Sequence, residues 1–415
     1  MNAEIITIGD EILIGQVVDT NSAFLATELN KLGISVVQIT SVPDTREGII
    51  AALDAAKSRA GLILITGGLG PTSDDITKPA LVEYFNTRLV ESPVVIEKIR
   101  SILSARGVKM TERNRKMAEL PADCEILNNS AGSAQGMWFI KDEKHFISLP
   151  GVPFEMKAIY LEEIEHRLRE RFTLPNIHHI TILTHGMPES MMANLIQDWE
   201  ENLPSNIKLA YLPSPGILRL RLTGKSTGTR EELIIQMEVE KGKLEDMIRK
   251  YIFGYGGDTL EQLIGNALRE KHMTLALAES CTGGTLSSMI TSVAGASAYY
   301  RGGIISYANE IKTAELNVSP YTLMINGAVS QAVVEQMAEG VRARYQTDFA
   351  VATSGIAGPD GGSPEKPVGT TWIAVASKNR IISSLHNFND ERGRNIQKAA
   401  ITALFMLWNE VKDCL

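Results

Sequence analysis

The chain has 415 residues, of which 44% are hydrophobic and 22% are charged, and its formal net charge is −8. This length predicts two or three domains, because a single core rarely serves more than about 300 residues. The acidic balance argues against broad binding to nucleic acid or to an anionic membrane, which needs a basic face. Three separated cysteines, Cys124, Cys281 and Cys414, predict neither a disulfide framework nor a zinc site. We expect a cytoplasmic protein, with no signal peptide and no membrane span.

The first part of the chain alternates apolar runs with amphipathic stretches. Strands are predicted at residues 4–8, 35–40, 62–66 and 145–149, and helices at 21–32, 47–59, 94–105 and 154–171. This rhythm is typical of a parallel sheet with helices on both faces. We therefore predict a three-layer α/β/α domain over residues 1–172.

Two loops of this domain join glycines to acidic side chains directly after a strand. Gly9 and Asp10 follow the first strand, and Gly67, Gly68, Asp74 and Asp75 follow the third. Glycine-rich backbone cradles phosphate, and carboxylates hold the divalent cation that bridges it. Aspartates also cap helices. Two such loops in one sheet favour a phosphate site, with a metal such as Mg²⁺ held by Asp10, Asp74 and Asp75.

The pattern of predicted strands and helices changes near Pro175, which marks the start of a second segment, residues 173–253. Strands are predicted at 177–184, 208–212 and 218–223, and helices at 189–201 and 230–248. This pattern predicts a small α+β module. It lacks a basic Gly-x-x-Gly clamp, so we interpret it as structural rather than RNA-binding. The glycines of residues 254–258 predict a linker.

The third segment, residues 254–415, is a second α/β domain. Helices are predicted at 260–271, 285–291 and 395–411, and strands at 274–278, 303–307, 349–354 and 370–376. The strand at 274–278 is followed by Glu279, Ser280, Cys281, Thr282 and two glycines. A strand that ends in this way points a nucleophile into a turn rich in free N–H groups, or is a plain strand-to-helix turn.

A serine nucleophile needs a base. No histidine lies in the motifs around Ser280, so Lys312 is the candidate base, provided that burial lowers its pKa. Tyr307 lies five residues earlier and is a candidate proton relay. Cys281 competes with Ser280 as nucleophile, because a thiol is intrinsically more reactive than a hydroxyl.

A glycine-rich loop at residues 354–362 follows the strand at 349–354, where ligands bind in open α/β sheets. The loop favours phosphate or ribose binding, and Arg392 and Arg394 either clamp a phosphate or begin a charged helix. The candidate binding residues of the loop are Ser354, Gly355, Gly358 and Gly361.

Residues 278–284, 307–312 and 354–362 together closely resemble the C-terminal domain of the CinA family, the nicotinamide mononucleotide deamidase. The resemblance covers about residues 259–415. It implies hydrolysis of the substrate carboxamide to nicotinic acid mononucleotide and ammonia, without a cofactor. It also implies Ser280 as nucleophile, Lys312 as general base and Tyr307 as its helper. Backbone N–H groups around Thr282, Gly283 and Gly284 would stabilise the oxyanion.

The same resemblance places the substrate phosphate against the glycine loop and Arg392. The family has a second arginine four residues after the first, where this chain has Ile396. Arg394 is the candidate substitute.

Residues 9–15, 66–77, 132–136 and 149–156 resemble the molybdopterin-binding-like domain of the same family, and residues 173–253 resemble its KH-like module. This implies metal-dependent cleavage of ADP-ribose to AMP and ribose 5-phosphate. The implied substrate contacts are Gly67, Gly68, Gly132 and Ser133. Gln135 stands where the family has proline, so we expect a less rigid loop there.

The leading hypothesis is a hydrolase of NAD breakdown products with two active sites, a homodimer as the family implies. Its expected partners are nicotinamide mononucleotide and ADP-ribose, without nucleic acid or membrane. Two alternatives stay open: a regulatory or scaffold protein in DNA uptake or damage response, and a molybdopterin-handling protein, since fold alone does not decide the substrate.

Overall fold

The structure is a computed structural model that describes residues 1–70, 72, 75–105 and 107–412. Two compact units emerge: Met1–His178 with Lys225–Leu233, and His179–Gly224 with the chain from Ile234 onward. Both units mix helices and strands, which confirms the predicted multi-domain α/β class. Among the described residues, no helix is both long and apolar enough to cross a membrane.

The first unit is built around a sheet with the strand order β2-β1-β3-β8-β7-β6. Its elements are β1 (Asn2–Ile8), α1 (Asp10–Leu13), α2 (Thr20–Lys31), β2 (Ser35–Val42), α3 (Arg46–Arg59), β3 (Leu62–Thr66), α4 (Thr77–Tyr84), β4 (Leu89–Glu91), α5 (Pro93–Ala105), α6 (Glu112–Lys116), β5 (Glu119–Pro121), β6 (Glu125–Leu127), β7 (Gly136–Lys141), β8 (Lys144–Leu149), α7 (Pro153–Ile159) and α8 (Glu165–Arg171), with a π-helical turn at Tyr160–Ile164.

The sheet is parallel across β2, β1, β3 and β8, as predicted, whereas β7 pairs antiparallel with both β8 and β6. The sequence did not predict this antiparallel extension of the sheet. The cause is the tight β7–β8 hairpin, in which Asp142 and Glu143 adopt φ values of 51° and 58°. No glycine marks this turn, so the sequence pattern did not reveal it.

Alternation along β1 explains the three layers. Ala3 and Ile5 pack into the core on one face of the sheet, and Ile6 and Ile8 pack into the core on the other. Since β1 and β3 are parallel neighbours, their carboxyl ends bring Gly9 and Gly67 to the same edge.

The rest of the chain forms two sheets, with strand orders β10-β11-β9-β12 and β14-β13-β15-β16-β17. Its elements are β9 (Asn176–Thr184), α9 (Glu189–Glu201), β10 (Ile207–Ser214), β11 (Ile217–Ser226), α10 (Arg230–Ile248), β12 (Ile252–Tyr255), α11 (Leu260–Glu270), β13 (Leu275–Glu279), α12 (Thr285–Thr291), β14 (Tyr300–Ile305), α13 (Asn309–Leu316), α14 (Pro320–Asn326), α15 (Gln331–Tyr345), β15 (Phe349–Gly355), β16 (Thr370–Ala376), β17 (Ile381–Asn387) and α16 (Arg392–Lys412). The predicted linker at 254–258 begins inside β12.

Strand β13 lies between two parallel neighbours, β14 and β15. Leu275 and Leu277 face the core formed with α11 and α16, while Ala276 and Ala278 face the core formed with α15. Burial on both faces leaves only the carboxyl end of the strand free to carry chemistry, and Ser280 follows that end directly.

Candidate active sites

Ser280 begins a tight turn between β13 and α12. Its N–H donates to Thr353 O at 3.0 Å, which extends the pairing with β15 by one residue. Gly283 and Gly284 then adopt φ values of 58° and 100°, a region that other residues rarely tolerate. The two glycines reverse the chain so that α12 starts at once, and Ser280 stays at the sheet edge with 9% of its surface exposed.

Lys312 reaches Ser280 from α13. Its Nζ lies 3.1 Å from Ser280 Oγ, 2.5 Å from Ser306 O and 3.4 Å from Tyr307 O. The side chain is 1% exposed, and burial lowers the pKa of the amine because it penalises the charged form. Nζ donates to all three of these oxygens, and loss of one proton from the amine would leave a lone pair that can accept the Ser280 proton.

Cys281, the competing nucleophile, is 7% exposed and lies in the core behind the turn. Burial raises the pKa of its thiol to about 12. A thiol reacts as its thiolate, and this one is protonated at neutral pH. The geometry therefore favours Ser280 over Cys281.

In the described structure, some backbone N–H groups of the Ser280 turn are already hydrogen-bonded within the protein, and others are not. Gly283 N–H donates to Ser280 O, and Gly284 N–H donates to the Glu279 carboxylate. Within the described residues, the N–H groups of Cys281 and Thr282 donate to no other residue. The candidate oxyanion donors are thus Cys281 and Thr282, and the expected role of Gly283 and Gly284 is corrected to shaping the turn.

Tyr307 does not make the contact expected of a relay. Its side chain is 63% exposed, and its hydroxyl accepts a hydrogen bond from Arg392 Nη2 at 3.2 Å. The backbone carbonyl of Tyr307, rather than its phenol, is what contacts Lys312. The relay role stays a prediction.

Arg392 stands at the start of α16 and joins the glycine loop to Tyr307. Its Nη1 donates to Gly358 O at 2.7 Å. Arg394 lies 3.7 Å from the Glu391 carboxylate and 3.9 Å from that of Asp390, with its side chain 60% exposed. Arg394 therefore pairs with its own helix start and does not join Arg392.

Two of the four candidate binding residues of the glycine loop pack against neighbouring parts of the domain, and the other two shape the rest of the loop. Ser354 is 1% exposed and donates to Ala328 O at 2.7 Å, and a Cβ on Gly355 would lie 2.5 Å from Thr371 Oγ1. These two residues pack β15 against its surroundings, which corrects their expected substrate role. Gly358 and Gly361, with φ values of 91° and 89°, shape the open part of the loop. Sequence reasoning missed Asn395, which is buried and holds the loop through Ala357 O at 3.0 Å.

The first unit carries a cavity of about 300 Å³ at the edge where β1 and β3 end, lined by Gly67 and Gly68. A Cβ on Gly67 would lie 2.2 Å from Ile8 O, so only glycine allows the two loops to approach. Four carboxylates also line the cavity, those of Glu11, Asp19, Asp44 and Asp75.

Of the three predicted metal ligands, Asp74 lies outside the described residues, and Asp10 and Asp75 each accept hydrogen bonds from backbone N–H groups. Asp75 accepts from Gly70 N–H, Thr72 N–H and Thr72 Oγ1, so both its oxygens hold the loop. Asp10 Oδ1 accepts from Asp44 N–H at 3.4 Å. In the described part of the chain, no group of three or more His, Cys, Asp or Glu residues is placed to hold a metal ion.

Sequence reasoning missed Asp44, whose carboxylate lies close to other acidic residues at this edge of the sheet. Its pKa is raised by burial and by the charges of Glu11, Asp10 and Asp75. A cation would relieve that repulsion. The residues therefore fit a hydrated Mg²⁺ that one or two carboxylates hold and substrate phosphates complete, rather than a closed protein site.

A second cavity of about 330 Å³ shares Gly68, Thr72 and Asp75 with the first, and its lining includes Lys78, Arg113 and Lys116. Burial lowers the pKa of Lys78, whose amine donates to Lys116 O at 3.3 Å and Met117 O at 3.4 Å. The cleft thus has an acidic lobe and a basic lobe. Lys78 is distant in sequence from Arg113 and Lys116, so no contiguous motif revealed this basic group.

Gly132 and Ser133 do not line either lobe. A Cβ on Gly132 would lie 2.2 Å from Glu155 Cδ, so this glycine serves packing. The expectation of a loose loop at Gln135 also fails. Gln135 is buried, accepts from Asn129 N–H at 3.1 Å and donates to Ser133 O at 3.1 Å, which braces the loop.

Three family profiles match the chain. They are the Probable molybdopterin binding domain over residues 4–170, the Damage-inducible protein CinA KH domain over 179–254, and the CinA C-terminal domain over 257–411. A CinA-like protein from Cytophaga hutchinsonii is 44% identical over 411 residues, which cover 99% of this chain and 98% of that protein. A CinA-like protein from Flavobacterium psychrophilum is 43% identical, with 99% of each chain covered.

The chain belongs to the CinA family. Among solved structures, a competence/damage inducible protein from Agrobacterium tumefaciens is 34% identical, covering 39% of this chain and 99% of its own, with a TM-score of 0.36. The MoaB molybdopterin biosynthesis enzyme from Thermus thermophilus is 22% identical with a TM-score of 0.28. The CinA profiles confirm the family expected from the motifs, and the middle profile confirms that the central module is of the CinA KH type.

Proposed function

We propose that the C-terminal domain of this CinA family member deamidates nicotinamide mononucleotide through a serine–lysine mechanism. The observation that carries the proposal is the 3.1 Å contact between Ser280 Oγ and a buried Lys312 Nζ that two carbonyls orient. Burial lowers the pKa of the Lys312 amine, which makes it a better general base at moderate pH than an exposed lysine.

In the first half-reaction, Ser280 Oγ attacks the carboxamide carbon while its proton passes to Lys312 Nζ. The N–H groups of Cys281 and Thr282 donate to the tetrahedral oxyanion. Lys312 then gives the proton to the leaving nitrogen, ammonia departs, and an ester to Ser280 remains. Water attacks this ester, its proton passes through Lys312 to Ser280 Oγ, and nicotinic acid mononucleotide leaves.

The substrate phosphate is assigned to Arg392 beside the open part of the glycine loop. The Arg392 guanidinium is held by Gly358 O and Tyr307. Its planar fork suits a phosphate. Since Arg394 pairs with acidic neighbours, one arginine rather than two holds the phosphate.

The test is incubation of the full chain with nicotinamide mononucleotide, followed by ammonia and product analysis. Stoichiometric ammonia and nicotinic acid mononucleotide are expected from the wild-type chain and not from Ser280→Ala. Hydrolysis by Ser280→Ala at the wild-type rate would contradict the assignment.

For the first domain, we propose metal-dependent cleavage of ADP-ribose to AMP and ribose 5-phosphate. The two-lobed cleft supports this proposal, because a diphosphate needs both a metal-binding acidic edge and nearby cations. Asp44, with at most one neighbouring carboxylate, would hold the cation, which would supply charge neutralisation for the diphosphate. The test measures AMP released from ADP-ribose with added Mg²⁺ and with excess chelator. Co-purification of a pterin without ADP-ribose cleavage would favour the molybdopterin-handling alternative.

A further inference from the structure

Glu279 immediately precedes the proposed nucleophile and is 1% exposed. No lysine or arginine in the described part of the chain forms an ion pair with it. A buried carboxylate without a cation is costly unless hydrogen bonds satisfy it. The hydrogen-bond partners of Glu279 therefore indicate which part of the fold its carboxylate stabilises.

All four recorded hydrogen bonds to the carboxylate come from the start of α12. Oε2 accepts the N–H groups of Gly284 and Leu286, each at 3.0 Å. Oε1 accepts the N–H of Ser287 at 2.8 Å and its hydroxyl at 2.6 Å. Tyr300 OH donates in turn to Ser287 Oγ at 2.9 Å. Charge-assisted bonds of this kind are stronger than neutral ones, and a helix start favours an anion.

Glu279 makes hydrogen bonds to chain segments on both sides of Ser280. The side chain of Glu279 binds residues 284–287, while its backbone carbonyl accepts Ser306 N–H at 2.8 Å. Ser306 is also the residue whose carbonyl holds Lys312 Nζ. One residue thus links the two sides of the Ser280–Lys312 pair. By occupying Gly284 N–H, it also leaves Cys281 and Thr282 as the free donors.

The geometry points to Glu279 as the positioning residue of the deamidase site: its carboxylate holds the Ser280 turn so that the hydroxyl meets Lys312 and the two free N–H groups meet the oxyanion. This inference rests on the proposed function. It predicts a loss in kcat rather than in KM, because Glu279 touches neither the substrate nor the phosphate site.

The experiment compares wild type, Glu279→Gln and Glu410→Gln. An amide would present N–H groups to the N–H donors of α12, so Glu279→Gln should lower kcat by about 100-fold, as a small misplacement of a reacting group does. KM should stay within about threefold, and the pH at which kcat reaches half its plateau should not move. Glu410 is also buried and bonded, to Arg380 on the far side of the domain, so Glu410→Gln controls for loss of a buried charge.

Labelling of Ser280 by a fluorophosphonate probe separates this inference from the substrate assignment. Glu279→Gln should slow labelling about 100-fold, whether or not nicotinamide mononucleotide is the substrate. Wild type that is labelled but releases no ammonia contradicts the proposed function alone. If Glu279→Gln does not fold, Ser287→Ala decides. It removes the hydroxyl that donates to Glu279 and accepts from Tyr300, and labelling should slow by about fivefold or more. Labelling at the wild-type rate in the variant that folds overturns the inference, as does a loss equalled by Glu410→Gln.

Discussion

Two neighbouring residues, Ser280 and Cys281, illustrate how burial separates reactive from inert groups. The Ser280 hydroxyl faces a lysine amine, whereas the Cys281 thiol faces the core and its pKa rises to about 12. Intrinsic reactivity favours the thiol. The local environment reverses that order, because of the two groups only the Ser280 hydroxyl is hydrogen-bonded to the Lys312 amine among the described residues.

Ser280→Ala should therefore lower kcat for ammonia release by about 1,000-fold or more, since it removes the attacking atom. Cys281→Ala should only weaken activity, through a small packing defect. Ammonia release under saturating nicotinamide mononucleotide measures both, and the opposite ranking would identify Cys281 as the nucleophile.

The protonation of Lys312 should set the acid limb of the pH profile. Below its lowered pKa the amine is charged and has no lone pair, so kcat should fall with falling pH; above it, kcat should reach a plateau. Lys312→Arg should be inactive across the measured range, because a guanidinium does not deprotonate. A bell-shaped or flat profile in the same range would argue against a lysine base.

At the scale of elements, tight turns at strand ends place the chemistry. The Ser280 turn needs two glycines with positive φ, and the Gly67 loop needs close contact with Ile8. Both turns follow buried strands, whose rigidity holds the turn residues in register. These glycines thus act through backbone shape.

Gly284→Ala tests this role of backbone shape. Alanine at φ 100°, with Ile305 Cδ1 at 3.1 Å from the new Cβ, should cost about 1–3 kcal/mol of unfolding free energy. Gly242→Ala in α10 is the matched control, where nothing lies within 4 Å of the Cβ and about 0.5–1 kcal/mol of stabilisation is expected. Urea unfolding of both variants provides the comparison.

Gln135→Ala tests the bracing of the 129–135 loop. The substitution leaves the buried N–H of Asn129 without an acceptor, at a cost of about 1–3 kcal/mol. A lower urea midpoint with an unchanged m-value is expected. An unchanged midpoint would mean that solvent replaces the Gln135 side chain.

At the scale of the whole molecule, the two proposed sites differ in chemistry. One is built from buried groups around Lys312, and the other is a cleft of carboxylates beside basic side chains. We expect the first site to operate without a metal ion, whereas the second carries carboxylate repulsion that a cation would relieve.

Excess chelator should therefore abolish AMP release from ADP-ribose and leave ammonia release from nicotinamide mononucleotide within about twofold. Added Mg²⁺ should restore the first activity. Loss of both activities under chelator would contradict the proposed independence of the sites.

Much of the fold was predictable because hydrophobic periodicity depends on neighbours along the chain. The apolar runs in β1 and β13 predicted buried strands, and both are present. The antiparallel β7–β8 hairpin was not predicted, since Asp142 and Glu143 carry positive φ without the usual glycine.

By itself, the sequence determined the family, the α/β class and the Ser280–Lys312 pair, because contiguous motifs carry all three. Only the tertiary structure decided which groups remain free to act. Asp75 accepts hydrogen bonds from its own loop, and Ser354 donates to Ala328 O. Arg394 lies within ion-pair distance of Asp390 and Glu391. Hydrogen bonding and desolvation depend on residues distant in sequence, so a motif shows which groups are present and the folded chain decides which are already bound.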